Sequence, residues 1–319
     1  MKEEILNLLK QKNGYVSGQE LANIFNVSRT AIWKAITALK KEGYDIISVS
    51  RLGYKLNDQN DILNERELDF YENVYFEDVL DSTNNTAKRL ALDGCPEYTI
   101  VSCNQQQGGK GRFGRSWVSP YGVNIYLSMV LFPNIEVYKT PQITLVVGLA
   151  AIKTIKEISG LKGYIKWPND IIINGKKAVG ILTEMQAEIG RILFVVTGIG
   201  INVNQAEFDE DIKEKATSLY LESHNKYKRS EIIKVLAENI KTYYKIFCEN
   251  GFGALKEEYK ALCINMGRDV KATLRGKEVK GNAVDISDNG ELIIKDKNGA
   301  LLPVSCGEAS IRNINNKYI

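Results

Sequence analysis

The sequence predicts a multidomain α+β protein. It consists of an N-terminal winged helix-turn-helix over residues 1–60, a central mixed α/β domain over residues 65–262 and a small C-terminal β-barrel over residues 267–319. A chain of 319 residues is too long for one ordinary domain. Helix signals dominate its start, strands and helices alternate in its middle, and short strands with regular turns fill its end. These three patterns set the division.

The N-terminal region contains two short helices separated by a tight turn. Ser17 precedes the first helix, and Ser28 is a favourable N-cap for the second. This arrangement is typical of a helix-turn-helix, in which the second helix reads DNA. Residues 44–56 alternate as strands on either side of a turn at Arg51, and they predict a wing.

The second helix and the wing carry the residues that we expect to contact DNA. They are polar or cationic and lie near the helix start or at the wing tip: Ser28, Arg29, Thr30, Lys34 and Arg51. Trp33 lies on the same helix, and we expect it to pack in the core, because large aromatic side chains mainly bury area. Such domains also dock proteins, but the cations here favour DNA.

The central and C-terminal regions differ in their turns. In the central region, hairpin turns at Asn174-Gly175 and residues 188–190 connect adjacent strands, which predicts a mostly antiparallel or mixed sheet. A long apolar helix is predicted over residues 140–159. In the C-terminal region, turn signals recur every nine to fourteen residues, as in a small β-barrel, at Arg275-Gly276, Asn289-Gly290 and Asn298-Gly299.

Composition excludes several kinds of chemistry. The chain has a single histidine, so Ser-His-Asp catalysis, Cys-His catalysis and histidine-rich metal sites are not expected. Its five scattered cysteines are typical of reduced thiols in a cytoplasmic protein. The longest apolar run, about ten residues, is too short to span a bilayer, so no membrane partner is expected. The net charge of +3 is small, and nucleic-acid binding must therefore come from a local patch.

The glycine-rich stretch 108–115 is the strongest chemical signal. Glycines let the backbone approach an anion closely, and Lys110 and Arg112 add positive charge on either side of Gly111. The stretch fits G-x-G-x-x-G, but no helix opens behind it, as a dinucleotide fold requires. We interpret it as a flexible cationic flap over a polyphosphate or adenylate; the alternative is a solvated basic turn.

Two further polar clusters could serve a ligand. In residues 166–170, K-W-P-N-D, Lys166 could neutralise a carboxylate and an α-phosphate that approach one another, and Asp170 could hold Mg²⁺ or accept a proton. The alternative is an ordinary hairpin corner. Residues 81–84, D-S-T-N, predict a helix N-cap that also offers hydrogen bonds to a small polar ligand head. Gln106 could add a directional amide.

These motifs occur in the order found in biotin–protein ligases. The matching segments are D-S-T-N at 81–84, Q-Q-G-G-K-G-R at 106–112, R-S-W at 115–117, K-W-P-N-D at 166–170, G-I-L at 180–182 and G-I-G-I-N at 198–202. Together with the helix-turn-helix, the chain resembles the bifunctional biotin operon repressors and ligases of bacteria over nearly its whole length. The resemblance implies a central domain similar to class II aminoacyl-tRNA synthetases and an SH3-like C-terminal barrel.

The resemblance also implies an activity and its partners. Members join biotin to ATP with Mg²⁺, release pyrophosphate, and pass biotin from biotinyl-5'-AMP to a lysine of a biotin carboxyl carrier protein. They also repress the biotin operon, as a homodimer on operator DNA that the ligand promotes. The biotin carboxylate is itself the nucleophile of the first step, so no side-chain base is required there.

Site residues follow from the same resemblance. Contacts with biotin or the adenylate are implied for Ser82, Thr83, Asn84, Gln106, Lys110, Gly111, Arg112, Lys166 and Asn202. Lys166, Arg112 and Asp170 are the expected catalytic residues, with Asp170 as the metal ligand or the base of the second step. Lys110 stands where the family commonly has arginine, which keeps the charge but loses bidentate geometry.

Three alternatives stay open at this point. A lipoate or octanoyl ligase has a related fold, although the helix-turn-helix and the K-W-P-N-D run favour biotin. A sensor could bind biotin and DNA without catalysis, although the intact Lys166, Arg112 and Asp170 argue against it. A ligase could also have lost DNA binding.

Overall fold

The protein divides into two compact units, Met1–Ile62 and Leu63–Ile319. Each has its own hydrophobic core. None of the helices in the described part of the chain is long and apolar enough to cross a membrane. The structure is a computed structural model, and it describes residues 1–12, 14–57, 61–274, 277–305 and 311–313.

The first unit is a helix-turn-helix with a two-stranded wing, as predicted. Ser17 and Ser28 both cap helices: their hydroxyl oxygens accept hydrogen bonds from the backbone N–H of Glu20 at 3.0 Å and of Ala31 at 3.2 Å. The two wing strands pair antiparallel, and Arg51 lies in the turn between them with a φ of 70°. The elements are α1 (Lys2–Gln11), α2 (Gly18–Ile24), α3 (Arg29–Lys41), β1 (Ile46–Val49) and β2 (Gly53–Leu56).

The prediction that Trp33 packs in the core is wrong. Its side chain is 57% exposed. The buried residues of α3 are Ile32, Ala35, Ile36 and Leu39, a stripe with i, i+3, i+4, i+7 spacing. Residue 33 falls outside this stripe, so helical periodicity places it on the solvent side with Arg29 and Lys34.

The second unit is built on a seven-stranded mixed sheet with the order β3-β4-β5-β9-β8-β7-β6. Only β3 and β4 run parallel; every other pair is antiparallel, which confirms the prediction of a mixed sheet. Asn174 and Gly175 both have positive φ, as a type I′ hairpin requires. The strands are β3 (Val74–Leu80), β4 (Ile100–Gln106), β5 (Ile125–Leu131), β6 (Gly163–Lys166), β7 (Asp170–Ile173), β8 (Lys176–Glu188) and β9 (Arg191–Ile201).

Helices cover this sheet and complete the core. The predicted apolar helix is α5, in which thirteen residues are buried and which ends at Gly160, a left-handed C-cap. The helices are α4 (Thr83–Leu92), α5 (Thr140–Ser159), α6 (Leu219–Ser223), α7 (Arg229–Asn250) and α8 (Lys256–Leu262). Short 3-10 turns lie at Arg66–Leu68, Arg112–Gly114, Val137–Lys139 and Phe252–Leu255.

The C-terminal part of this unit is a five-stranded antiparallel sheet with the order β13-β12-β11-β10-β14. In the residues that the structure describes, this sheet is open, with β13 and β14 at its two edges. The predicted turns at Gly290 and Gly299 are present, and the one at Arg275-Gly276 lies outside the described residues. The strands are β10 (Asp269–Leu274), β11 (Lys277–Ile286), β12 (Leu292–Lys295), β13 (Leu301–Val304) and β14 (Ile311–Asn313).

The C-terminal sheet is joined to the K-W-P-N-D turn by hydrogen bonds. The Trp167 indole N–H donates to the Gly290 carbonyl at 3.1 Å, and the Trp167 backbone N–H donates to Asn265 Oδ1 at 2.8 Å. A Cβ at Gly290 would lie 2.4 Å from Leu145 of α5. The position of the K-W-P-N-D turn is therefore fixed by contacts with the C-terminal part of this unit.

Candidate functional site

A cleft in the second unit brings most of the predicted ligand residues together. Its non-atom space is about 490 Å³, part of which is open to solvent. Its walls are Ser82, Thr83, Asn84, Gln106, Lys110, Gly111, Arg112, Trp117, Tyr126, Asn169, Lys177, Gly180, Ile181, Leu182, Gly198, Ile199 and Gly200. Seven of the nine predicted contact residues line it; Lys166 and Asn202 are not among the described lining residues.

Gln106 organises one end of the cleft. Its Oε1 accepts hydrogen bonds from the Thr83 backbone N–H at 2.9 Å and the Thr83 hydroxyl at 3.1 Å. Its Nε2 donates to Ser119 Oγ at 3.1 Å, and that amide group has two hydrogens, so one N–H remains for a ligand. Ser82 occupies the N-cap position of α4, but its side chain makes no cap hydrogen bond. The expected cap is therefore supplied by Gln106 from β4, which leaves the Ser82 hydroxyl in the cleft wall.

The glycine-rich stretch is held close to the K-W-P-N-D turn. Arg112 Nη1 donates to Asn169 Oδ1 at 3.2 Å, and Lys110 Nζ donates to Asn85 Oδ1 at 3.2 Å. A Cβ at Gly109 would lie 2.5 Å from the Trp117 carbonyl oxygen, so a side chain at that position would displace the backbone. The two motifs that sequence analysis treated separately thus form one wall.

Trp117 also lines the cleft. Its indole ring lies so close to the sheet that a Cβ would come within 2.6 Å of it at Gly180 and 2.5 Å at Gly200. The buried indole Nε1 has no hydrogen-bond acceptor among the described residues. Glycine is needed at both positions, because a side chain at either one would clash with this ring.

A second lysine lines the cleft besides Lys110: Lys177, which was not among the predicted site residues. Its Nζ lies 2.6 Å from Asp170 Oδ1 and 5.1 Å from the centroid of the Trp117 ring. Lys166, at the end of β6, is buried, with 6% exposure, and lies opposite Asp170 in the β6–β7 register. An irregularity in the β7–β8 register between Ile171 and Ile172 determines where Lys177 falls.

Asp170 and Asn202 are not among the described residues that line the cleft. Asp170 is ion-paired with Lys177, and no described carboxylate lines the cleft. No cluster of three metal-binding side chains occurs in the described ranges either. Asn202 is buried, and its Nδ2 donates to the Thr217 carbonyl at 2.9 Å.

No described cysteine lines the cleft. Burial raises the pKa of the Cys103 thiol to about 12 and that of the Cys263 thiol to about 11, so neither is a reactive thiolate near neutral pH. The four described cysteines are free, and Cys306 lies outside the described residues. Cysteine chemistry therefore has no group to use in the described cleft.

In the first unit, the five predicted DNA-contact residues are exposed. Arg29, Thr30 and Lys34 lie on the solvent side of α3, and Arg51 lies in the turn of the wing. Ser28 is exposed but already caps α3 with its hydroxyl. The Lys40 ammonium donates to Ser48 Oγ of β1 at 2.9 Å and fixes the wing to the helix.

Known protein families match all three parts of the chain. The model of the Biotin/lipoate A/B protein ligase family matches residues 76–202, an HTH domain matches residues 2–55, and the Biotin protein ligase C terminal domain matches residues 266–312. Among solved structures, the biotin protein ligase from Aquifex aeolicus in complex with biotin and ATP is 30% identical. It aligns over 76% of this chain and 100% of its own, with a TM-score of 0.67.

Two relatives are similar to this chain over nearly its whole length. The Bifunctional ligase/repressor BirA of Bacillus subtilis is 38% identical over 94% of this chain and 95% of its own length. The protein of the same description from Escherichia coli is 29% identical over 93% of both. This chain therefore belongs to the family of bifunctional ligase/repressor proteins, in which a biotin–protein ligase is joined to an N-terminal helix-turn-helix.

Proposed function

We propose that this protein joins biotin to ATP, transfers the biotinyl group to a lysine of a carrier protein, and represses transcription in response to biotin. One observation carries the enzymatic part: a neutral, hydrogen-bonding end of the cleft and three cations, Lys110, Arg112 and Lys177, line one cavity. A molecule with an uncharged polar head and a carboxylate tail matches this arrangement, and biotin is such a molecule.

The first step needs electrostatic help more than acid–base chemistry. The biotin carboxylate attacks the α-phosphate of ATP, a C–O–P bond forms, and pyrophosphate leaves with the bonding electron pair. Two anions must approach each other, so fixed cations that face both of them lower the barrier. We propose that Arg112 and Lys110 hold the phosphates from the glycine-rich stretch, while Lys177 holds the carboxylate.

The geometry favours Lys177 over Lys166 for this position. Lys177 lines the cleft, where its ammonium lies between the Asp170 carboxylate and the Trp117 ring. Lys166 is almost completely buried at the end of β6. A catalytic contact from Lys166 stays a prediction from the resemblance, and it would require its side chain to reach the cleft.

In the second step, the amine of the carrier lysine attacks the carbonyl of the mixed anhydride and AMP leaves. This amine must lose a proton, and Asp170 is the proposed acceptor because its carboxylate lies beside Lys177. Asn202 is proposed to act indirectly, through the loop that it ties to Thr217.

A protein-held Mg²⁺ does not fit the described residues. Asp170 is engaged by Lys177, and no described carboxylate lines the cleft. Mg²⁺ commonly binds through substrate phosphates with few protein ligands, so we propose that it enters as part of the ATP substrate. The likeness to class II aminoacyl-tRNA synthetases, the closed SH3-like barrel and a cytoplasmic location likewise stay predictions.

The repressor part rests on the first unit. We propose that α3 enters the major groove of operator DNA, where Arg29, Thr30 and Lys34 contact the DNA. Arg51 of the wing then contacts the sugar-phosphate backbone. Binding to a palindrome requires two copies. Residues 181–188 of β8 extend beyond its pairing with β7, so that part of its outer edge has no strand partner among the described residues and could pair with a second copy.

The activity is tested by following pyrophosphate release from ATP and Mg²⁺ with either biotin or lipoate. Mass spectrometry of a biotin carrier domain then tests transfer. We expect turnover with biotin and a biotinylated carrier. Turnover with lipoate alone would make the protein a lipoate ligase, and an unmodified carrier would make it a sensor. A gel shift with double-stranded DNA, with and without biotin and ATP, tests the repressor separately.

A further inference from the structure

A charged pair that is not among the predicted site residues contacts Asn84, which lines the cleft. Glu184 lies on β8 and Lys88 lies on α4, and the Lys88 ammonium is 2.5 Å from Glu184 Oε1. The other carboxylate oxygen, Oε2, accepts a hydrogen bond of 2.7 Å from Nδ2 of Asn84. An ion pair thus ends directly on a residue that lines the cleft.

The hydrogen-bonding capacity of Asn84 is almost fully used by the protein. Its Nδ2 donates to Glu184 and to the Leu182 carbonyl at 3.3 Å, which accounts for both hydrogens. The Ser128 hydroxyl, which has one hydrogen, can donate it to Asn84 Oδ1 at 2.6 Å or to Thr83 Oγ1 at 2.8 Å. Oδ1 has a second lone pair, and this atom packs against the cleft-lining Gly198, where a Cβ would lie only 2.1 Å from it.

Glu184 enforces this orientation of the amide. If the Asn84 amide were flipped, Oδ1 would face a carboxylate oxygen and a carbonyl oxygen at hydrogen-bond distance, which is repulsive. The repulsion between Oδ1 and the carboxylate requires Glu184 to be charged. Burial alone raises the pKa of Glu184, but the hydrogen bonds from Lys88 and Asn84 outweigh it, so that the pKa lies below its usual value. The carboxylate is therefore ionised at neutral pH.

We propose that Glu184 and Lys88 are positioning residues that make Asn84 Oδ1 an obligatory acceptor in the cleft, and that this acceptor selects a ligand head with an N–H donor. The cyclic urea of biotin has two such N–H groups. Ser128 lies within hydrogen-bond distance of Oδ1, and Gly198 leaves room for Oδ1 itself, because a Cβ at that position would clash with it. This inference rests on the proposed biotin ligase function.

The test compares Glu184→Gln with the unchanged protein in biotin affinity and in the pre-steady-state rate of adenylate formation. Glutamine keeps the size of the side chain but can face Asn84 as a donor or an acceptor, so the amide orientation is no longer fixed. We expect biotin to bind about tenfold more weakly, with the loss in KM for biotin rather than in kcat or in KM for ATP. Lys88→Met should act in the same direction.

Two further measurements separate positioning from general damage. In an Asn84→Ala background, Glu184→Gln should have no additional effect on biotin affinity. Discrimination against biotin that is methylated on a ureido nitrogen should also shrink in Glu184→Gln. Glu188→Gln is the matched control: Glu188 is on the same strand, pairs with the exposed Arg191, and should change neither quantity.

The outcomes are distinguishable. Unchanged biotin affinity in Glu184→Gln, or a loss of the same size with Asn84→Ala present, would overturn the positioning role while leaving the ligase intact. If the protein without any substitution binds no biotin, the proposed function itself is overturned. Circular dichroism and thermal unfolding check that Glu184→Gln and Glu184→Ala fold. At least one of these folded variants must weaken biotin binding when Asn84 is present and have no further effect in the Asn84→Ala background.

Discussion

The cleft of the second unit and the exposed side of α3 are two binding surfaces built in opposite ways. In the cleft, polar groups are held by other protein groups that are distant in sequence: Thr83 is bonded to Gln106, and Asn84 to Glu184. On α3, Arg29 and Trp33 extend from one turn of one helix into solvent. The first surface has its orientation fixed before a ligand arrives, and the second is free to adapt.

This difference has an energetic meaning. Fixed polar groups recognise a small ligand well, because little ordering is left to be done when it binds. Exposed cations instead attract a polyanion through charge, and the contact depends on salt. Substitutions in the cleft should therefore act on chemistry or selectivity, whereas substitutions on α3 should act on DNA affinity alone.

The largest expected effect is that of Lys177→Met. This change removes the cation that lines the cleft beside Asp170 and keeps a side chain of similar length. We expect the rate of pyrophosphate release to fall by about 10²–10³. Lys176→Met is the control, because Lys176 donates to the Lys213 carbonyl instead of lining the cleft. If Lys166→Met abolished turnover and Lys177→Met did not, the assignment would move to Lys166.

The same comparison explains what the sequence could and could not predict. The helix α3 follows from the spacing of apolar residues along the sequence, so its N-cap and its exposed cations could be predicted directly. The error at Trp33 came from weighing residue type above periodicity. In the cleft, the glycine-rich stretch and K-W-P-N-D were recognisable as motifs, but their contact through Arg112 and Asn169 is tertiary.

Lys177 and Glu184 show where prediction from sequence ended. Lys177 faces the cleft because of a register irregularity in the β7–β8 hairpin, which residue types do not reveal. Glu184 meets Asn84 across one hundred residues of sequence, through strand pairing that had to be known first. Apart from Trp33, the structural prediction was thus correct where contacts are local and partial where the sheet assembles them.

On the α3 side, Arg29→Ala should weaken binding to double-stranded DNA by about 10- to 100-fold at low salt. Arg29 lies in the first turn of the exposed helix, where base and phosphate contacts are made. Biotin-dependent pyrophosphate release should not change. Fluorescence anisotropy over a series of salt concentrations checks this, and a smaller salt slope would indicate a lost phosphate contact. A fall in ligase turnover would contradict the separation of the two surfaces.

Trp33→Ala should have a smaller effect on DNA binding, about fivefold, without changing the salt slope. The exposed indole carries no charge, so any contribution to DNA binding comes from apolar contact, such as that with a thymine methyl group. Anisotropy with a bound DNA site that contains uracil in place of thymine measures this contribution. Ile24→Ala removes another exposed apolar side chain, from α2, and serves as the control. Equal losses in the two variants would mean that apolar exposure alone, rather than position on α3, matters.

Ser17→Ala should lower the free energy of unfolding of the first unit by about 1 kcal/mol, because it removes the side-chain cap of α2. Unfolding in urea, followed separately by DNA-binding activity and by ligase activity, measures the two units. We expect only the DNA-binding transition to move. A shift of both transitions by the same amount would show that the two units unfold together and would weaken the contrast between them.

The smallest expected effect is the pH dependence of the stability that Glu184 contributes. Because its pKa is lower in the folded protein than in the unfolded chain, its carboxylate stabilises the fold above the unfolded pKa, near 4.5, and this contribution is lost as pH falls through the folded value. The difference in free energy of unfolding between the unchanged protein and Glu184→Gln should therefore be constant near neutral pH and shrink below about pH 4.5. The α3 face should show no such dependence in Trp33→Ala, since the substituted indole does not titrate. A difference for Glu184→Gln that grows on acidification would mean that the carboxylate is destabilised in the folded state, and Asn84 would then have no fixed orientation to offer a ligand.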